Sequence, residues 1–208
     1  RDHRRVPAPA WPAAETADNF IVTAANRMAV EHLEAPGRWP VMASVLAGPR
    51  KSGRSLLARI FAAQSGGSII DDAETLPEAE VFHRWNLAQE ERHPLLIVVL
   101  DRTPPWKPRL PDLASRMAIT PLVTMSEPDD VLFRLLIERL LAQRGLAIAP
   151  EVVGYLSARA ERSYVALMRL VDALDNAALS KRRGITIPLA RDVLEALGMT
   201  PVNRPLPL

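Results

Sequence analysis

This sequence predicts an α/β fold: a parallel sheet flanked by helices, followed by a small C-terminal helical lid. Three observations predict it. Short, continuously apolar runs alternate with helical periods as far as residue 124. A glycine-bearing loop joins the first apolar run to the first long helical one, and no strand signal returns after Pro128. The 208 residues, 48% hydrophobic and 24% charged, are enough to build a real core. No apolar run approaches the ~20 residues that span a bilayer, and no signal-peptide pattern opens the chain. The absence of cysteine excludes disulfides, thiol nucleophiles and thiolate metal sites. These features fit a cytoplasmic protein without membrane contact. A net charge of +2 gives no strongly basic nucleic-acid footprint, and lysine occurs only at 51, 107 and 181, the remaining basic residues of the Lys and Arg count being arginine.

Residues 1–17 are polar and proline-rich and are expected to form an extended arm. The chain opens on Arg rather than Met, so a further stretch upstream is an expectation. Residues 24–34 read as a helix with Met28, Ala29 and Leu33 on one face. The run 41–47 (VMASVLA) has the character of a strand buried on both faces. The loop 48–53 (GPRKSG) leads into a helix that Gly66 and Gly67 stop. Residues 68–72 (SIIDD) predict a short strand ending in two acids, 77–92 a helix opened by Pro77, 95–100 (LLIVVL) the clearest buried strand, and 119–124 a weaker fourth one. Beyond Pro128, a helix from Asp129 to Gly145 carries Val131, Leu132, Leu135, Leu136 and Leu140 as its apolar stripe. Pro150 opens a second helix, Ser163 caps a third, and Pro188 starts a fourth. The expected units are therefore an arm (1–17), an α/β domain (18–127), a lid (128–198) and a tail (199–208).

The strongest chemical signal is Gly48, Pro49, Arg50, Lys51, Ser52, Gly53, Arg54 and Ser55 between a strand and a helix. Backbone amides in such a loop cradle phosphates, and the helix N-terminus adds positive potential. Ser55 stands where a magnesium ligand would sit. Arg54 replaces the usual lysine, a compact charge that arginine does not mimic; Lys51 reads as a solvated side chain rather than a substitute. The bland alternative is an ordinary strand–helix turn. Asp71 and Asp72 read as a Walker B pair, one acid organising metal-bound water and the other orienting an attacking water, or else as a helix cap. Asp101, after the central strand, reads as a phosphate-sensing position or as a turn residue. Arg116, if exposed, could act in trans on a neighbour's phosphate; taken alone it is a surface arginine. Lys181, Arg182 and Arg183 read as a helix-end charge patch or a DNA phosphate contact. The tryptophans at 11, 39, 85 and 106 are too dispersed to stack bases and read as packing residues; the histidines at 3, 32, 83 and 93 lack metal-ligand spacing.

Together these segments resemble the DnaA branch of the AAA+ ATPases, and within it the Hda-type regulators of DnaA. Residues 18–29 (DNFIVTAANRMA) look like the family's opening box, which implies an adenine pocket from Phe20, Ile21, Val22 and Asn26. Residues 101–105 (DRTPP) resemble the sensor I segment. Residues 110–116 (LPDLASR) are similar to the box that carries the arginine finger, and residues 185–194 follow the family lid. The resemblance implies a P-loop AAA+ sheet, ADP or ATP with magnesium or a pocket without nucleotide, and DnaA as partner with Arg116 as the finger. It also implies a sliding-clamp partner through a motif that residues 1–17 do not contain, weak or indirect DNA contact, and leaves a homodimer open. A degenerate interaction module without hydrolysis and a clamp-loader-like ATPase subunit are the competing readings. Two further departures from the family are legible. Only fifteen residues lie between Ser55 and Asp71, too few for the usual extra strand and helix, so one edge strand should be missing and about four should remain. The lid position of the phosphate-sensing arginine is occupied by Val165.

Overall fold

The computed structural model describes residues 20–181, of which the Lys181 side chain is excepted, and residues 184–199. The expected arm and most of the expected tail, Asp18 and Asn19 in the opening box, and the cluster at 181–183 thus fall outside the described side chains.

Strands β1 (Ala43–Gly48), β2 (Ser68–Ile70), β3 (Leu95–Leu100) and β4 (Leu122–Thr124) form one four-stranded sheet in the order β2-β3-β1-β4. Every pairing is parallel, with Ala43 opposite Leu95, Val45 opposite Leu122 and Ser68 opposite Leu95. The expected count of four is met, and the short Ser55–Asp71 segment holds only one helix before β2. All six β1 residues are buried, as the unbroken apolar run demands. Helices α1 (Arg27–Leu33) and α2 (Arg54–Ser65) cover one face, where Ala29, Leu33, Leu57, Ala58 and Phe61 meet Leu46, Leu96 and Val98. Helices α3 (Glu78–Glu91) and α4 (Pro111–Ile119) cover the other, where Val81, Trp85, Ala88 and Leu113 meet Val45, Ile97 and Val99. Alternate strand residues thus feed opposite cores, the period of two that a pleated strand imposes. At the margin of the sheet, the Arg84 guanidinium of α3 donates from Nη2 to the Ile69 carbonyl at 2.6 Å.

Helices α5 (Asp130–Ala142), α6 (Pro150–Ser157), α7 (Tyr164–Lys181) and α8 (Ile187–Ala196) form the lid. Phe133, Ile137, Leu141, Leu156, Leu167 and Leu174 fill its core. The Ser163 hydroxyl accepts from Ala166 N at 3.1 Å, so this residue does begin α7 as a cap.

Four expectations need correction. The first helix begins at Arg27 rather than near 24, because Asn26 Oδ1 accepts from Thr23 N and closes a turn there. Met28 is 77% exposed, while Ala29 and Leu33, one helical turn apart, face the core. On α5, Val131 and Leu135 lie exposed, and the buried stripe is instead Leu132, Phe133, Ile137, Leu140 and Leu141. The fourth strand is Leu122–Thr124 rather than 119–124, because residue 119 closes helix α4, whose single buried side chain is Leu113.

Candidate nucleotide pocket and finger helix

Strands β1 and β3 are neighbours, yet their following loops lead to helices on opposite faces, β1 to α2 and β3 to α4. A parallel sheet opens a crevice at such a switch point, beyond the carboxyl ends of its strands. Gly48 and Asp101 meet there: Asp101 N donates to the Gly48 carbonyl at 2.9 Å. The expected phosphate loop and sensor position are therefore adjacent through the backbone.

Gly48 is closely approached by its neighbours. A Cβ there would lie 3.1 Å from Met125 Cβ, 3.1 Å from Ser52 Oγ and 3.2 Å from Arg54 Cδ. Gly53 has φ +87°, a left-handed conformation that glycine adopts without strain, and Phe20 lies against its open side. No side chain caps α2, so its first-turn amides and the positive end of its dipole face the loop. Lys51 is exposed, as expected of a solvated side chain. Arg54 is not solvated: its side chain is 10% exposed, and Nη2 lies 3.8 Å from the Asp72 carboxylate. Ser52 Oγ and Arg54 Nη1 are buried without hydrogen-bond partners. Buried donors without acceptors are costly, and phosphoryl oxygens are acceptors of suitable chemistry for both.

Asp71, Asp72 and Asp101 are all exposed. Asp72 caps a short 3-10 turn by its position, but its carboxylate caps nothing and faces Arg54 instead. Among the described residues, no group of three or more His, Asp or Glu side chains gathers to hold a metal ion.

Phe20 joins the core behind α2, Val22 is exposed, and Ile21 packs on Ala25, Leu132 and Tyr164 at the seam between sheet and lid. Asn26 is buried, with Oδ1 accepting from Thr23 N and Nδ2 donating to the Ile21 carbonyl at 2.9 Å. It shapes the box. The seam also uses Asp129, read from the sequence only as a helix start, and Tyr164. Asp129 Oδ2 accepts from Ala25 N at 3.1 Å while Oδ1 accepts from Leu132 N at 2.8 Å and caps α5. Burial pushes the Asp129 carboxyl up, but the bonds from Leu132, Thr23 and Ala25 outweigh this and hold it below the ordinary carboxylate range. Tyr164 donates its phenol to the Ser126 carbonyl, and burial, with Glu127 and Asp129 nearby, raises its pKa. Val165, next to it, is 42% exposed and offers no donor.

Arg116 stands apart from the loop, on α4 over the sheet face opposite α2. It is exposed, with Cζ 5.1 Å from the centroid of the buried Trp85 ring. Trp85 Nε1 donates to Thr120 Oγ1 at 3.0 Å, and Thr120 Oγ1 donates to the Arg116 carbonyl at 2.7 Å. At the other end of α4, Glu78 accepts from the amides of Arg109 and Leu110, which lower its pKa. Trp39 and Trp85 are packing residues as expected, but Trp85 also carries the arginine.

Residues 132–194 match the family described as the Hda lid domain. An uncharacterized protein of Haemophilus influenzae is 27% identical over 118 residues, 56% of this chain and 51% of that protein, so the chain spans about half the length of that relative. Among solved structures, domain III of the Thermotoga maritima replication initiation protein DnaA is similar with a TM-score of 0.71 at 15% identity, over 91% of this chain and 98% of that one. The Thermotoga maritima RuvB Holliday junction branch migration motor gives 0.67 at 17% identity, over 88% and 72%. The replication initiator DnaA bound to AMPPCP and single-stranded DNA gives 0.63 at 18%, over 88% and 68%. The fold is that of DnaA domain III, and the lid helices match the Hda lid domain.

Proposed function

We propose that this protein regulates replication initiation by docking on ATP-bound DnaA and setting Arg116 against the transferring phosphoryl group, so that DnaA hydrolyses its own ATP. The carrying observation is the solvent-facing guanidinium of Arg116 on a helix fixed at both ends. A positive charge delivered to a neighbour's phosphates stabilises charge that develops in the transition state, worth about 10³-fold or more in other phosphoryl-transfer systems. The chain's own pocket would hold ADP or ATP through Ser52, Arg54 and the amides of residues 48–55, with Phe20, Ile21 and Val22 toward the base and Asn26 shaping that wall. Asp72 and Asp101 would line the phosphate side, and Ser55 and Asp71 would supply oxygens to magnesium. Bound nucleotide supplies the acceptors that Ser52 Oγ and Arg54 Nη1 lack.

The test is turnover of DnaA-bound ATP with the wild type and with Arg116→Ala. The expected outcome is loss of stimulation in the variant with folding unchanged; equal stimulation by both would end this reading. A second reading, an interaction module that hydrolyses nothing itself, is favoured by Arg54 facing Asp72 and by the apolar Val165 on the lid. The two readings agree on docking and differ over the finger. A sliding clamp as further partner, DNA contact and a homodimer remain proposals that rest on the resemblance alone.

A further inference from the structure

An exposed arginine samples many rotamers, and a guanidinium that must meet a phosphoryl group loses effect when it is free to wander. Arg116 is constrained. Its guanidinium lies over the indole of Trp85, a ring that is 4% exposed. Cation and ring face attract within about 6 Å of the centroid. The ring is oriented in turn by its Nε1–H bond to Thr120 Oγ1, whose own proton goes to the Arg116 carbonyl. One hydroxyl thus ties the platform to the backbone of the residue it supports. Two helical turns before Trp85, on the same side of α3, Glu78 takes the amides of Arg109 at 2.9 Å and Leu110 at 2.6 Å, just before α4 begins. The finger helix is therefore held by α3 at its entry and under its last turn.

We infer that Glu78 and Trp85 are positioning residues for Arg116: α3 is a cradle that presents the guanidinium to a partner's phosphates in a fixed pose before docking. The inference rests on the finger reading of Arg116 and adds what makes the finger effective. A merely structural Trp85 would be sensitive to any loss of volume or of the Nε1–H bond. A platform is sensitive to loss of the aromatic face, which Phe retains and Leu does not.

The experiment measures stimulated ATP turnover on DnaA at varied concentrations of this protein, with Trp85→Phe, Trp85→Leu and Glu78→Gln beside Arg116→Ala, and thermal unfolding of each. Trp85→Leu should lower the maximal stimulated rate about tenfold while leaving the half-saturating concentration unchanged, and Trp85→Phe should restore most of that rate. Glu78→Gln, at a half-buried position outside the core clusters, should lower the maximum about threefold. A Trp85→Leu maximum equal to wild type, or Phe and Leu variants equally impaired, overturns the cradle. An Arg116→Ala variant that stimulates normally overturns the finger reading instead. A partner-free readout keeps the two apart: Arg116→Gln should change tryptophan emission in the wild-type background and leave it unchanged when Trp85 is already Phe. No emission change in either background overturns the cradle even if Leu at 85 fails to fold.

Discussion

Arg54 carries the chemistry that separates this loop from a lysine-bearing one. A lysine would place a compact, rotatable charge among phosphates; the planar guanidinium lies largely buried, its stem against Gly48 and one nitrogen toward Asp72. Asp72 is mostly exposed, so water screens this pair and its worth to stability is small. The second nitrogen, without a partner, is the one with something to gain from an anion. A charge-assisted hydrogen bond contributes about 1.5–3 kcal/mol, so Arg54→Ala should weaken ADP binding at least ~10-fold in calorimetric titration. Unchanged affinity would remove Arg54 from the pocket.

At the scale of elements, α5 is anchored by one carboxylate with two duties, capping its own helix and receiving Ala25 N from the opening box. Loss of a side-chain cap costs about 0.5–2 kcal/mol, and Asp129→Ala should show at least that in urea unfolding at pH 7. The sign of the pH dependence follows from the depressed carboxyl. An unfolded aspartate titrates near ~3.9, and the folded group titrates lower. Its contribution is complete above the unfolded value and disappears as pH falls through the folded one. The gap between wild type and Asp129→Ala should therefore narrow in acid. The helix start at Asp129 was legible, but the bond to Ala25 was not, because the two residues are 104 apart and no periodicity links them. The strands were legible for the opposite reason: β1 and β3 are buried along nearly their whole length, so their composition alone reports their environment. Met28, Val131 and Leu135 were misread because apolar residues one position off a helical stripe look the same in the sequence as those on it. The phosphate loop could be recognised by its glycines. Glu78, Trp85 and Tyr164 could not, since their roles lie in bonds to backbone or rings that other segments bring to them.

On the scale of the whole molecule, sheet and lid have separate cores joined by a small seam of Ala25, Leu132 and Tyr164, with Ile21 and Leu136 beside it. Two hydrogen bonds cross or border the seam, Tyr164 to the Ser126 carbonyl and Ala25 N to Asp129. Val165, beside Tyr164 on the lid, is exposed and offers no side-chain donor.

The same molecule ends its sheet early, at a strand of three residues, and gives that strand's Ile69 carbonyl to Arg84. Strand margins with vacant acceptors invite foreign chains to add on, and a cation seated across one discourages recruitment. Arg84 thus occupies an acceptor on the open margin of the shortened sheet. Arg84→Ala should raise light scattering of concentrated protein during prolonged incubation, with nucleotide binding intact; equal scattering from both proteins would assign the guarding role elsewhere.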